Sequence, residues 1–195
     1  MAKSLYERLG RYITVLVVVA TLSVVLTVDS AQARIEWYDL PWTTVGSAGT
    51  VDEQDTSIYN VNMGSMDIKN TATLPASLDV RYNVVAIGQL MFNYPWQTPN
   101  MKVTYRDNGI NASVTLYLRE VNLTNGFEKT ILTFRSNSFP SRNMIQANEV
   151  NTCPLITPLD FRKNAYYIDA TISKIGTGGL PLLDAIQLRS DPCLI

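Results

Sequence analysis

Three stretches of this chain alternate apolar and polar residues with a period of two. Leu78, Val80, Tyr82 and Val84 are separated by Asp79, Arg81 and Asn83. Ala112, Val114, Leu116 and Leu118 interleave with Ser113, Thr115, Tyr117 and Arg119. Tyr166, Ile168, Ala170 and Ile172 interleave with Tyr167, Asp169, Thr171 and Ser173. Successive side chains of a strand point to opposite faces, so each stretch reads as a strand with one buried and one wet face. Such strands must cover their apolar faces with a second layer, which restricts the chain to a sandwich or a barrel.

The remaining pattern is also β. Residues 101–106 alternate and end at Asp107-Asn108-Gly109, residue types that supply the positive φ of a tight turn. Asn125-Gly126 is a second turn, and residues 127–135 read as the returning strand. The three segments 101–106, 112–119 and 127–135 are therefore expected to pair as an antiparallel meander. Shorter strands are expected at 34–38, 57–62 and 66–70, and a last one near 182–188. The strand at 78–84 is expected to continue or bend near Gly88 into 89–93. Beyond residue 33 no segment keeps a 3.6-residue period, and residues 141–151 hold at most one short helical turn. Eight or nine short strands with turn signals between them give an all-β fold: an antiparallel β-sandwich, jelly-roll-like, with a β-barrel as the runner-up. No repeat, linker or low-complexity segment divides residues 34–195, which are read as a single domain.

Residues 1–33 have a different character. Lys3, Arg8 and Arg11 precede an uncharged run, residues 12–28, and Ala31-Gln32-Ala33 follows. A positive start, an apolar segment and a small-x-small triplet are the parts of a secretory signal peptide, with cleavage expected after Ala33. The alternative is an uncleaved anchor, since the run sits at the lower edge of the ~17–25 residues that cross a bilayer. The triplet favours cleavage, which places the domain outside the cytosol, secreted or periplasmic, with no membrane contact afterwards. Cys153 and Cys193, flanked by Pro154 and Pro192, are the two cysteines of the chain. An even count behind an export signal predicts a structural disulfide. A metal or redox role is disfavoured by the lack of a C-x-x-C pair or a third ligand.

Composition excludes several functions. Sixteen Lys and Arg stand against 17 Asp and Glu. That near balance lacks the basic footprint of a nucleic-acid binder. The chain has no histidine, which removes Ser-His-Asp catalysis and imidazole-held metals. The acidic run Asp52-Glu53-Gln54-Asp55, with Asn60, Asn62 and Asp67 nearby, offers hard oxygen ligands but no EF-hand spacing. It is read as a solvated loop, and no cofactor or metal is expected. The run Gly176-Thr177-Gly178-Gly179 lacks the Lys-Ser/Thr ending of a phosphate loop.

Among candidate binding residues the segment 92–99 stands out. Its two prolines make it a loop or an edge rather than a central strand. Tyr94 and Trp96 share one face of an extended backbone, and their rings suit the apolar faces of sugars, with Asn93 and Gln97 placed for hydroxyls. The competing reading is that Trp96 plugs one end of the sandwich. A second aromatic cluster, Trp37, Tyr38 and Trp42, is expected to pack the start of the domain onto the sheet. A glycoside hydrolase would need two carboxylates across a cleft. Glu120, Glu128, Asp169 and Asp184 are the candidates, and no pair is singled out by spacing. The expected function is an exported, non-catalytic binding or structural module with a polysaccharide or cell-surface partner. A subunit of a surface fibre and a carboxylate hydrolase are the alternatives. In size and architecture the domain is similar to chaperone-assembled pilus subunits, but residues 191–195 lack the alternating apolar strand that ends that family.

Overall fold

The computed structural model describes residues 40–87, 97–155 and 158–193. Eleven strands are present among them: β1 (Trp42–Val45), β2 (Thr50–Val51), β3 (Tyr59–Asn62), β4 (Ser65–Ile68), β5 (Ala76–Val84), β6 (Gln97–Asp107), β7 (Ala112–Asn122), β8 (Glu128–Arg135), β9 (Arg142–Asn151), β10 (Asn164–Lys174) and β11 (Leu182–Pro192). They form two antiparallel sheets. One has the order β3-β4-β11-β6-β9, with β1 also paired to β11. The other has the order β2-β5-β10-β7-β8. The fold is an antiparallel β-sandwich. It is not a barrel: no ladder joins the two sheets among the described residues.

The three strong alternations become the centre of the five-stranded sheet. Leu78, Val80, Leu116, Leu118, Ile168 and Ile172 are all at most 3% exposed, as the period-two pattern requires. The facing layer comes from Met101, Val103 and Tyr105 on β6 and from Leu183, Ile186 and Leu188 on β11. Burying each such side chain contributes roughly 1.5–3 kcal/mol, which outweighs the cost of ordering it. Phe134 lies between Tyr105 and Phe139, with ring centroids 5.1 and 5.4 Å away. Trp42 is buried in this core, and β1 pairs its residues 42–45 with Leu188 to Ala185. β4 pairs with Leu182 and Leu183, so two short strands share one edge of β11.

Two expectations are corrected. The segments 101–106, 112–119 and 127–135 do not form a meander. β7 and β8 do pair as a hairpin, but β6 lies between β11 and β9 in the other sheet. Gly109 has the expected positive φ of +124°, yet the turn carries the chain from one layer to the other. A buried network fixes that corner. Ser136 Oγ donates to Asp107 Oδ2 at 2.5 Å and accepts from Val114 N at 2.9 Å, while Gly109 N donates to Asp107 Oδ1 at 3.0 Å. Asn108 holds the neighbouring loop, donating to Gly178 O and accepting from Leu180 N, each at 2.7 Å.

The second correction concerns residues 141–151, which contain the strand β9 and no helical turn. β9 pairs with β6 on one side and has no strand on the other among the described residues. An edge strand of this kind needs no apolar stripe. Its inward-facing Asn148 is polar and accepts from Tyr105 Oη at 2.9 Å.

The cysteines form the expected bridge. Cys153 and Cys193 are joined, with Cα atoms 5.7 Å apart, just past the ends of β9 and β11. Of the segment 92–99, Gln97, Thr98 and Pro99 belong to β6. Pro99 pairs with Ser190 of β11, whereas the ladder to β9 starts only at Asn100. Pro99 thus sits where β6 has a strand on one side only, the kind of place in a sheet where proline is found. Asn93, Tyr94 and Trp96 lie outside the described residues, as do the possible continuation 89–93, the strand expected at 34–38, Trp37 and Tyr38, and the cleavage site at Ala33.

Candidate functional site

The outward face of the five-stranded sheet is a register-locked grid of polar and aromatic side chains. Because β5, β10, β7 and β8 pair in order, their outward residues fall into rows. Asn83, Tyr167, Arg119 and Thr130 form one row. Arg81, Asp169, Tyr117 and Thr133 form the next, and Asp79, Thr171, Thr115 and Arg135 the third. Tyr167 and Tyr117 are diagonal neighbours in this grid, a separation of roughly 7–8 Å between backbone positions.

Each tyrosine carries a guanidinium. Arg81 stands 4.8 Å from the centre of the Tyr167 ring and Arg119 4.9 Å from that of Tyr117. Both arginines converge on Asp169: Arg81 Nε donates to Oδ1 at 3.1 Å, and Arg119 Nε lies 3.6 Å from Oδ2. Arg119 also lies 3.8 Å from Glu128 and donates through Nη1 to Thr130 Oγ1 at 2.6 Å. The hydrogen bond to Asp169 holds the Arg81 guanidinium above its usual value, and burial raises the Tyr167 phenol. In the third row Thr171 Oγ1 donates to Asp79 Oδ1 at 2.7 Å. Partly exposed ion pairs of this kind contribute only about 0–1 kcal/mol each. Their consequence is geometric, since they fix flat donor groups over flat rings.

Two adjoining depressions of about 260 and 320 Å³ run over this face and share Asp52, Asp79, Arg81 and Asp169. Their wall is the loop after β2. Asp52 accepts from Gln54 N at 3.0 Å and Asp55 accepts from Asp79 N at 2.9 Å. The acidic run is thereby spent on holding its own loop to β5. A further depression, about 210 Å³, lies on the other sheet beside Thr43, Lys102, Thr104 and Gln187 and contains no aromatic ring.

The carboxylates named from sequence are dispersed. Asp169 and Glu128 share Arg119, with the arginine between them. Glu120 lies nearly buried, accepting from Tyr166 Oη at 3.0 Å and pairing with Lys129 at 2.9 Å. Tyr166 Oη in turn accepts from Asp160 N at 2.8 Å, so this group fastens a loop. Asp184 accepts from Ser65 Oγ at 2.9 Å. Among these four the structure sets no two acids across an open cleft. Gln97, the one residue of the aromatic segment's candidate set that is described, is half-buried at the start of β6, opposite Pro192.

Sequence reasoning treated Asp169 with Tyr167 and Thr171 as an ordinary wet face. It missed that three wet faces become neighbours. The available signal was the pairing of Tyr with Arg at outward positions of different strands.

No family model and no curated protein sequence matches the chain. Among solved structures, a family two carbohydrate esterase from Cellvibrio japonicus is similar over 80% of this chain, at 10% identity and TM-score 0.39. The chain spans 36% of that protein's length. A family 35 carbohydrate binding module from Clostridium thermocellum is similar over 76% of this chain and 97% of its own, at 13% identity and TM-score 0.36. A chain of Broad Bean Stain Virus is similar over 58% of this chain and 65% of its own, at 15% identity and TM-score 0.29. All three TM-scores lie below 0.5, and likenesses at this level bring no function to the chain.

Proposed function

We propose that this is an exported, non-catalytic carbohydrate-binding module that holds a glycan in the groove across β5, β10 and β7. One observation carries the reading: Tyr117 and Tyr167, each under a guanidinium fixed by Asp169, stand on the rigid outward face of a sheet. Sugar recognition needs apolar contact for the C–H faces and planar, pre-oriented hydrogen-bonding groups for the hydroxyls. Rings, guanidinium groups, Asp79, Asp169 and the Thr171 and Thr130 hydroxyls supply both within one grid. Binding to groups already held in place loses little entropy. The diagonal spacing of the tyrosines suits two neighbouring units of an oligosaccharide rather than one.

Export is the second part of the proposal. It is supported by the charged and apolar plan of residues 1–33, with cleavage after Ala33, and by the bridge between Cys153 and Cys193, which is at home in an oxidising compartment. No helix among the described residues is long and apolar enough to cross a membrane. Asn93, Tyr94 and Trp96, with Gln97, are proposed as a second contact surface for the same ligand class.

Affinity electrophoresis against a polysaccharide panel tests the reading. Retardation by at least one polymer, abolished by Tyr117→Ala and Tyr167→Ala with the melting temperature unchanged, is expected. Trp96→Ala tests that second surface separately. Absence of retardation by every polymer, or retardation indifferent to both tyrosines, refutes the groove.

A further inference from the structure

Resting on that reading, we infer that the groove selects uncharged glycans and rejects polyuronates and sulfated chains. The charge balance of the face is the first ground. Its three guanidinium groups, Arg81 and Arg119 in the groove and Arg135 in the row at its end, are outnumbered by Asp52, Asp79, Asp169 and Glu128. Glu53 and Asp55 add two more negative groups on the loop that walls it. An approaching anionic polymer therefore meets a net negative surface.

The second ground is that neither cation lining the groove is unmatched. Arg81 is paired with Asp169, and Arg119 with both Asp169 and Glu128. A uronate or sulfate would have to take a guanidinium from a carboxylate already seated beside it. It would gain one ion pair by breaking another while placing its own charge among four acids. An uncharged hydroxyl faces no such exchange. It donates to a remaining lone pair of Asp79 or Asp169, or accepts from the Nη groups of Arg81, which uses only Nε among the described residues.

The third ground is that the acids stay available to neutral hydroxyls. Asp79 accepts from Thr171, Asp52 from Gln54 N and Asp55 from Asp79 N, while Asp169 is held by two arginines. Carboxylates with a donor already in place keep acceptor sites for hydroxyls.

The experiment is titration of the purified chain with neutral polymers (a β-glucan, a xylan, a galactan, a mannan) and with polygalacturonate and a sulfated galactan. Binding to a neutral polymer, and none to the anionic ones, is expected. Raising NaCl from about 50 to about 500 mM should change that affinity by less than about threefold, because screening weakens only recognition between charges. Asp52→Asn with Asp79→Asn should admit polygalacturonate. Preferred binding of polygalacturonate or the sulfated galactan that Tyr117→Ala abolishes overturns the inference and leaves the groove standing as the site. A tenfold or greater loss of neutral binding with salt overturns it too. If no polymer binds at all, the groove reading itself falls, and this inference with it.

Discussion

Replacing both cysteines by serine removes the one covalent link in the fold and tests what it contributes. Cys153 and Cys193 are 40 residues apart in sequence. In the chain-entropy model, opening a loop of about 41 residues frees the unfolded chain by roughly 13 cal/mol/K, or about 4 kcal/mol at 25 °C. The folded state loses little else, because both residues lie beyond the ladders that β9 and β11 make with β6. The double variant should therefore unfold cooperatively at a lower urea midpoint. For a domain of this size, about 4 kcal/mol corresponds to a melting temperature lower by roughly 8–16 °C. Wild-type protein with reductant should fall to the same level, and the denaturant slope should rise slightly as the unfolded chain expands. The groove lies on the other sheet, so whatever glycan binding the wild type shows should be unchanged in the folded variant. A double-serine protein within about 1 kcal/mol of the oxidised wild type would refute the reasoning. So would a reduced wild type much more stable than the variant, because the loss would then lie in packing rather than in chain entropy.

Four further outcomes follow from the packing. Gly46 is buried, and a Cβ there would meet the Leu183 carbonyl oxygen at 2.1 Å; Gly46→Ala should cost about 1–3 kcal/mol by forcing the backbone apart, read from urea midpoints. Ser136→Ala leaves Val114 N and Asp107 short of a partner in a buried corner, a loss of about 1–3 kcal/mol that Ser136→Thr should not rescue if the site is as tightly packed as its near-zero exposure states. Burial pushes the Tyr105 and Tyr166 phenols up to about 12, whereas an unfolded tyrosine ionises near ~10. The fold thus favours the protonated phenol, so this stabilisation is complete below about pH 10 and is lost as the pH rises towards about 12; Tyr166→Phe should flatten the alkaline fall, and a fall that begins below about pH 9 has another origin. Light scattering should find a monomer, because the β6 ladder is interrupted opposite residues 143–145 of β9, which is how exposed edges are kept from pairing; a dimer that Ile145→Lys dissociates would contradict this.

The parts of the fold that could be read from the sequence are those where one strand speaks for itself. Leu116 and Leu118 alternate with Tyr117 and Arg119, and that local fact already assigns each residue to the inside or the outside. β9 was illegible for the opposite reason. As an edge strand it is wet on much of its surface, and its inward side includes Asn148, so the periodic signal that marks a strand is absent. The corner at Asp107 was read as a hairpin because Asn-Gly declares a turn and says nothing of which sheet receives the chain. That decision is made by Ser136, 29 residues away, whose hydroxyl ties Asp107 to the start of β7.

The groove was invisible for a related reason, and it shows how the two faces of the sheet depend on each other. Asp169 meets Arg81 across 88 residues of sequence and Arg119 across 50, so no local pattern joins them. Their meeting follows from the register of β5, β10 and β7, and register is set by the buried face. Shifting β10 by one residue would expose Ile168 and Ala170 and bury Asp169 and Thr171, an exchange of apolar burial for uncompensated charge. The core therefore holds the outward face in alignment at no further cost. The outward ion pairs need not stabilise the fold to be well placed.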